Sequence, residues 1–275
     1  MSSKTWRRVL AHAVLGGLSV VMAGPFVYLF IASVSAGSPT ALLRGEGVPL
    51  TLQFYRDVWR TFVEMRLFLN TFVICASGVG LELLLASLAA YPLARMEFRG
   101  KRGVFGLMMA TMMLPVQAGM IVNFATVRAL GFFDTWAAVV LPSAVSVFGI
   151  FLMRQSYITI PRELDEAARM DGAGHLTIWW RVLVPLSAPA LATLAIFTFV
   201  GYWNSFIWPL VVLKGEHRYP LAVGLQFLAE VFDKSFAKIA AGSVLSMLPI
   251  IVLFLVMQRA FIKGTVSYTH LRAHE

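Results

Sequence analysis

The sequence predicts an all-α membrane protein with six transmembrane helices. Of its 275 residues, 59% are hydrophobic and 13% are charged, and the mean hydropathy is +0.76. So large an apolar share is typical of a chain that lies mostly in lipid rather than around a soluble core. Six apolar runs meet the requirement of about 20 residues for a membrane helix. They cover residues 10–34, 67–91, 103–126, 136–153, 187–213 and 238–262.

The first apolar run is interpreted as a retained span. Lys4, Arg7 and Arg8 precede it, as they would precede a signal peptide. However, a run of about 25 residues is longer than the apolar region of a signal peptide. Residues 1–66 therefore form a first region, made of a terminal tail, the first membrane helix and the segment that follows it.

The distribution of charge orients the six spans. Both termini and the loops at 95–102 and 154–186 lie on one side, which carries fourteen basic and six acidic residues, a net charge of +8. The rest of the chain carries nine basic and eight acidic residues, a net charge of +1. Since basic loops stay inside, both termini are predicted to be cytoplasmic and residues 35–66 external. Topology thus accounts for the total charge of +9, which argues against a nucleic-acid partner.

A polar stretch at 161–189 interrupts the apolar runs, and its residues predict two short helices joined by a turn. Pro161 suits the first position of a helix, and Glu163 adds negative charge near the positive end of that helix. Asp171 and Gly172 form a turn signal, since glycine readily adopts the positive φ that ends a helix. A second helical pattern follows at 175–183.

The first of these two helices has small apolar residues on one face. Leu164, Ala167 and Ala168 fall at positions i, i+3 and i+4, so their side chains share a side, and Asp165 and Glu166 are expected to point elsewhere. Small side chains permit close docking, which predicts a compact knob that another protein can contact. The alternative is a solvated helical hairpin whose alanines pack on the chain's own membrane domain.

The spacing in this stretch carries a family resemblance. The letters EAA at 166–168 are followed after three residues by Gly172, and after nine more residues by Val182, Val184 and Pro185. This pattern resembles the cytoplasmic coupling loop in the permease subunits of ATP-binding-cassette (ABC) importers. The family has an isoleucine and a leucine where this chain has its two valines, so the departures are conservative.

The resemblance continues from the second span to about residue 263. It is similar to the second permease of carbohydrate and glycerol-phosphate importers, a subclass of this length with six spans. Its marks are Asn70-Thr71, AYPLAR at 90–95, Leu114-Pro115, Trp203-Asn204 and QRAF at 258–261.

The resemblance also divides the chain into regions. Residues 67–263 are expected to form the ABC-importer transmembrane domain, with five helices and the coupling loop at 154–186. Residues 264–275 are set apart as a tail, because SYTHLRAHE matches no ending of the family and its native origin is open.

The resemblance implies the type I ABC importer permease fold, with a cytoplasmic coupling helix. It implies that the chain is no enzyme but the permease subunit of an ATP-driven importer, a multi-pass protein of the bacterial inner membrane. The implied partners are a second permease, two ABC ATPase subunits, an extracytoplasmic solute-binding protein and membrane lipid. ATP and Mg²⁺ belong to the ATPase subunits, so no cofactor is expected on this chain.

The residues expected to couple to the ATPase are those of the loop that match the family pattern or its helix and turn. They are Glu163, Leu164, Glu166, Ala167, Ala168, Asp171, Gly172 and Pro185.

The expected solute is small and polar. A sugar is favoured because the spans carry no buried cationic cluster that would neutralise a phosphate. Import of glycerol 3-phosphate or another polyol is the first alternative, and a self-sufficient secondary transporter is the second. Internal repeats and several buried charges would indicate a secondary transporter, and neither is evident in the sequence.

Polar residues in or near spans three and five are candidates for the solute pathway. Amides and aromatic faces suit a sugar, but amides also join helices in lipid, so both interpretations stay open. The candidates are Gln117, Asn123, Trp203 and Asn204. Glu82 is the one acid well inside a span, which makes it either a functional group or a structural one that bonds a neighbouring helix or lies in a watery cleft.

The sequence contains no catalytic set and no set of metal ligands. The phosphate-binding motif GxxxxGK[ST] and the zinc motif HExxH are both absent. The five histidines are scattered along the chain, and Cys75 is the only cysteine. ATP hydrolysis is therefore assigned to a separate subunit.

Overall fold

The computed structural model of the chain describes residues 3–37, 40, 44, 47–231 and 235–270, and the predicted all-α architecture is confirmed. The helices in chain order are α1 Ser3–Val34, α2 Gln53–Glu64, α3 Leu67–Arg95, α4 Lys101–Thr111, α5 Met120–Ala129, α6 Trp136–Val140, α7 Val147–Thr159, α8 Glu163–Met170, α9 His175–Ile178, α10 Ala188–Trp203, α11 Ile207–Val212, α12 Leu221–Val231 and α13 Phe236–His270. Single 3-10 turns lie at Val116–Gly119, Leu141–Ser143 and Glu216–Arg218, and α9 continues through a π-helix, Trp179–Leu183, and a last turn, Val184–Leu186.

Three of the described helices are long and apolar enough to cross a membrane: Trp6–Val34, Leu67–Arg95 and Phe236–Val256. Two further candidates are helix pairs that bend at a short break. Trp136–Ser143 and Val147–Thr159 meet at 49°, and His175–Leu186 and Ala188–Trp203 meet at 80°.

The third predicted span, 103–126, is made of two helices rather than one. Helix α4 ends at Thr111 and α5 begins at Met120. Pro115 lies between them in an extended conformation, with ψ 130°. Proline has no N–H to donate and disfavours the helical conformation of the residue before it, so the helix cannot run through this point.

The chain divides into two compact units, Met1–Glu64 with Leu225–Pro249, and Met65–Gly224 with Ile250–Glu275. In the first unit, an isolated antiparallel bridge joins Ser35 to Leu50 after the end of α1. The hydroxyls of Ser33 and Tyr55 lie 2.6 Å apart and tie α1 to α2. Lys238 of α13 and Asp57 of α2 form an ion pair of 3.1 Å.

In the second unit, α3 is the central helix and packs along α7 and α10. Glycines permit the close approach of these helices. A Cβ at Gly149 of α7 would lie 3.1 Å from the Cβ of Ala86 on α3, and a Cβ at Gly78 of α3 would lie 2.5 Å from Cζ of Tyr202 on α10. The core beside these contacts consists of Ala86, Ala90, Tyr91, Leu93, Ala94, Ile150, Met153, Tyr157, Ile178, Trp179, Leu183 and Leu194.

The first turn of α3 holds the loop that precedes α12. The amide of Asn70 donates to the carbonyl oxygens of His217 and Tyr219 over 2.8 and 2.9 Å. The hydroxyl of Thr71 accepts from the N–H of Leu221 over 2.7 Å. Burial raises the pKa of the Tyr219 hydroxyl, and the nearby carboxylates raise it further, so this group stays protonated at neutral pH.

We expect Gly78→Ala to destabilise the protein, because the new methyl group overlaps the ring of Tyr202 and overpacking of a core costs about 1–3 kcal/mol. The midpoint of thermal unfolding in detergent, followed by fluorescence-detected size exclusion, measures the effect. Gly80→Ala is the matched control, since a Cβ at Gly80 meets nothing within 4 Å. Equal midpoints for the two variants would contradict the packing described for α3 and α10.

Candidate coupling segment and cavity

The coupling segment, defined as residues 161–186, contains the two predicted helices and the predicted turn. Helix α8 begins at Glu163, two residues after Pro161. Gly172 has φ 81°, the left-handed conformation that only glycine adopts without strain. Its N–H donates to the carbonyl oxygen of Arg169 over 2.9 Å, which closes the turn. The segment is therefore a folded knob, as the sequence predicts.

The predicted single apolar face of α8 is divided between two sides of the helix. Ala168 is half-buried and packs against the core, whereas Leu164 is 43% exposed and Ala167 is exposed as well. Met170 and Leu176 add large apolar side chains that are 89% and 69% exposed. The helix thus packs on its own domain through one side and presents apolar surface on another.

Three polar contacts hold the coupling segment, with Ile160 just before it, on the end of α3. Asp165 is buried and its carboxylate lies 3.2 Å from Nε of Arg95, with side-chain exposures of 7% and 2%. The guanidinium of Arg95 also donates to the carbonyl oxygen of Ile160 over 2.8 Å. The hydroxyl of Tyr91 lies 2.8 Å from Nδ1 of His175 at the start of α9. Asp165, which was expected only to point away from the apolar face of α8, is thus buried against the protein, where Arg95 supplies the counter-charge that a buried carboxylate needs.

The other residues expected to couple lie on the surface of the segment. Glu163, Glu166 and Asp171 are exposed, and Asp171 ends α8. Pro185 is exposed in the last helical turn before the 80° bend. The structure thus brings most of the predicted set to one exposed segment.

A cavity of about 470 Å³ lies within the second unit, among α3, α5, α6, α7, α10 and α11 and the turns between them. Its wall mixes aromatic rings with hydroxyl, amide and carboxylate groups. The described residues that line it are Glu82, Gln117, Met120, Asn123, Val139, Ser143, Ser146, Phe148, Phe197, Thr198, Gly201, Tyr202, Ser205, Ile207 and Trp208.

Glu82 lies in the wall of this cavity with 1% of its surface exposed. Its Oε2 accepts from the N–H of Ser146 over 2.9 Å, and its Oε1 accepts from the Ser146 hydroxyl over 2.6 Å. Ser146 in turn caps α7, because its hydroxyl accepts from the N–H of Gly149 over 2.8 Å. The structural interpretation in which Glu82 bonds a neighbouring helix is therefore confirmed. Glu82 also borders a cavity, and that this cavity is watery stays a prediction.

Comparison with known proteins decides the family. The family described as "Binding-protein-dependent transport system inner membrane component" matches residues 82–266. The arabinooligosaccharides transport system permease protein AraQ of Halalkalibacterium halodurans is 32% identical over 269 residues, which cover 94% of both chains. This chain belongs to that family of ABC importer permeases. The permease is thus a transport subunit and not an enzyme, and the fold implied by the resemblance is confirmed.

Other relatives of the permease differ in what their names say they carry. The sn-glycerol-3-phosphate transport system permease protein UgpE of Agrobacterium fabrum is 31% identical and covers 94% of this chain and 96% of its own. A similar solved structure is that of a bacterial ABC transporter involved in the import of the acidic polysaccharide alginate. One of its chains has a TM-score of 0.81 at 29% identity, and the match covers 95% of the permease and 99% of that chain. A chain of the alginate transporter in complex with an alginate pentasaccharide-bound periplasmic protein, at a TM-score of 0.64 and 15% identity, shares the fold alone.

Two of the four predicted pathway residues line the cavity of the permease. Gln117 and Asn123 are among its lining residues, and their contact with solute stays a prediction. Trp203 is buried instead against aromatic rings, with its ring centroid 5.4 Å from that of Phe72. Asn204 is exposed, and its amide donates back to the carbonyl oxygen of Val200 over 3.0 Å.

The aromatic residues that do line the cavity bond the backbone around the break after α6. The hydroxyl of Tyr202 donates to the carbonyl oxygen of Val140 over 3.1 Å, and the indole N–H of Trp208 donates to that of Ala138 over 3.0 Å. Tyr202 directly precedes Trp203, so the predicted stretch adjoins the cavity, and contact of Trp203 or Asn204 with solute stays a prediction. The sequence alone does not tell which residue of this stretch lines the cavity, because the rotation of α10 about its axis is set by its packing at Gly78.

We expect Asp165→Ala to loosen the coupling segment, because it leaves Arg95 buried without its counter-charge, at a cost of about 3–5 kcal/mol. Limited digestion with trypsin reports this change, since Arg162 and Arg169 flank the site and are exposed. Cleavage at these two arginines should become faster. Glu163→Ala, an exposed carboxylate on the same helix, is the matched control. If both variants resist trypsin as the native chain does, the Arg95–Asp165 pair does not hold the segment.

Proposed function

We propose that the permease forms one half of a transmembrane pathway through which a small, hydroxyl-rich solute, a sugar, enters the cell. The cavity carries this proposal. Its volume of about 470 Å³ falls within the range of roughly 300–1,000 Å³ that is common for small-molecule sites. Its wall combines aromatic rings with hydroxyl and amide groups, which suits both the apolar faces and the hydroxyls of a sugar. The relative named for arabinooligosaccharides supports the same solute class.

Glycerol 3-phosphate is the second candidate solute. A relative of similar identity and coverage is named for it. A phosphate group would need cationic or strongly donating groups in the wall of the cavity.

The proposed partners are a second permease, two ABC ATPase subunits and a solute-binding protein outside the membrane. The exposed apolar side chains of the coupling segment support an ATPase partner, because large apolar side chains exposed together on a polar segment are typical of an interaction site. They are Met170, Leu176 and Leu164, beside the smaller Ala167. The solute-binding protein is supported by a similar transporter that was solved in complex with a periplasmic protein.

In the proposed mechanism, ATP and Mg²⁺ bound by the ATPase subunits drive closure of those subunits, and the docked coupling segment moves with them. The segment is tied to α3 through Arg95 and Tyr91, and α3 borders the cavity through Glu82. The ATPases can shift the permease between inward- and outward-facing states only through contacts that differ between the two states. We infer that the joint between the coupling segment and α3 stays intact in both.

The proposed orientation places both termini and the coupling segment in the cytoplasm. The asymmetry of charge, +8 against +1, supports it through the positive-inside rule. The same orientation puts the loop before α12 outside, where a solute-binding protein can reach it.

We expect Gly172→Asp to abolish ATP-driven uptake of arabinotriose by the importer in proteoliposomes, because a side chain at φ 81° strains the turn of the knob. Insertion into the membrane should be unchanged, and the ATPase should no longer copurify with the tagged permease. Gly174→Asp is the matched control. Its φ is −77°, its Cβ meets nothing within 4 Å, and it precedes α9, where aspartate is a favourable cap. Uptake at the native rate by Gly172→Asp would contradict the coupling role.

A second expected outcome is topological. A reporter fused after Lys101 or within 170–175 should be active in the cytoplasm, and one within 40–50 or at 215–218 should be active outside. Paired alkaline-phosphatase and fluorescent-protein fusions at the same four places provide the measurement and its internal control. The reverse pattern would contradict the proposed orientation.

A further inference from the structure

The wall of the cavity carries one ionisable acid and, among the described residues that line it, no lysine, arginine or histidine. Glu82 is that acid, and it is held in place by Ser146 at the start of α7. Burial disfavours a charge on Glu82, but the N–H and the hydroxyl of Ser146 both donate to its carboxylate oxygens, and such donors at a helix N-terminus favour the charged form. Glu82 therefore gives this part of the wall a negative potential.

Several other polar groups of the wall are occupied by the protein itself. The donors of Tyr202 and Trp208 bond backbone carbonyl oxygens, and the hydroxyl of Ser146 bonds both Glu82 and α7. The groups that remain for a solute are neutral amides and hydroxyls. They belong to Gln117, Asn123, Ser143, Thr198 and Ser205.

We propose that this cavity selects uncharged, hydroxyl-rich solutes and that Glu82 excludes anions from it. The inference deepens the proposed function and rests on it. A neutral sugar can exchange hydrogen bonds with the amides and hydroxyls of the wall and needs no counter-charge there. A carboxylate or phosphate would lose its water without gaining a counter-charge, and it would face a like charge.

The relatives do not show whether this cavity prefers neutral or anionic solutes, because some of them are named for neutral solutes and others for anions. Arabinooligosaccharides are neutral, whereas glycerol 3-phosphate and the acidic polysaccharide alginate are anions. One fold thus accommodates both classes, and the side chains of the site set the choice. In this permease those side chains favour the neutral class.

The test uses the assembled importer, with its second permease and ATPases, in nanodiscs without the solute-binding protein. Three probes are compared by saturation-transfer NMR and competition: neutral arabinotriose, anionic trigalacturonate of the same ring count, and glycerol 3-phosphate. Omission of the binding protein removes its own selectivity from the result. We expect arabinotriose to bind and both anions to bind at least about tenfold more weakly, the scale of one like-charge contact at ~10 Å in a medium of dielectric constant ~20.

Glu82→Gln keeps the shape of the side chain and removes its charge. We expect it to strengthen binding of trigalacturonate by a factor on the order of ten, while arabinotriose binding changes by less than about threefold, within the range for one altered hydrogen bond. Glu64→Gln, at the exposed end of α2, is the matched control and should leave all three probes unchanged.

Gln117→Lys leaves Glu82 in place and adds a positive charge to the wall of the cavity. This variant tests the charge selectivity if the Glu82 variant does not assemble. A cation in the wall should admit trigalacturonate and glycerol 3-phosphate. Equal binding of neutral and anionic probes to the native importer overturns the proposal, as does an anion affinity that neither variant changes. ATP-driven uptake by the complete importer tests the proposed function separately, since it can persist when the charge selectivity is absent.

Discussion

The polar side chains of helix α3 have to find partners within the protein, because lipid offers no hydrogen bonds. Near its first turn Asn70 bonds the loop at 217–221, in its middle Glu82 bonds the start of α7, and at its last residue Arg95 pairs with Asp165. Each contact fixes a different part of the permease. The loop, the cavity wall and the coupling segment are therefore all positioned by one helix.

This arrangement gives the coupling segment a direct mechanical connection to the cavity. Glu82 and Arg95 lie on the same helix, which continues through Pro92 to its last residue, and they are about 20 Å apart at the usual rise per residue. A long helix transmits a displacement with little deformation, whereas a loop would absorb it. The Arg95–Asp165 pair matters for this reason, since a buried ion pair breaks only at a high cost once formed.

The breaks between α4 and α5 and between α6 and α7 lie beside the cavity. Backbone that leaves the helical pattern at membrane depth is tolerated only where other groups satisfy it. Glu82 accepts from the N–H of Ser146 after the break that follows α6, and Tyr202 donates to the carbonyl oxygen of Val140 before it. The residues that border the cavity thus also stabilise the irregular backbone that opens it. A substitution of Glu82 or Tyr202 is therefore expected to change both the wall of the cavity and the backbone at the break.

The sequence alone predicts the helical class, the family and the form of the coupling segment, because the length of the apolar runs, the spacing from Glu166 to Pro185 and the turn at Gly172 are local properties. It also draws attention to Glu82, since an acid within an apolar run is unusual. Three features emerge only from the packed structure: Asp165 is buried, 103–126 is two helices, and Tyr202 rather than Trp203 borders the cavity. How a helix is rotated about its axis, and which side chains pair, depends on packing against residues far away in the chain. Arg95 is such a partner for Asp165, and Gly78 for Tyr202. Neither partner can be identified from the residues next to the other in the sequence.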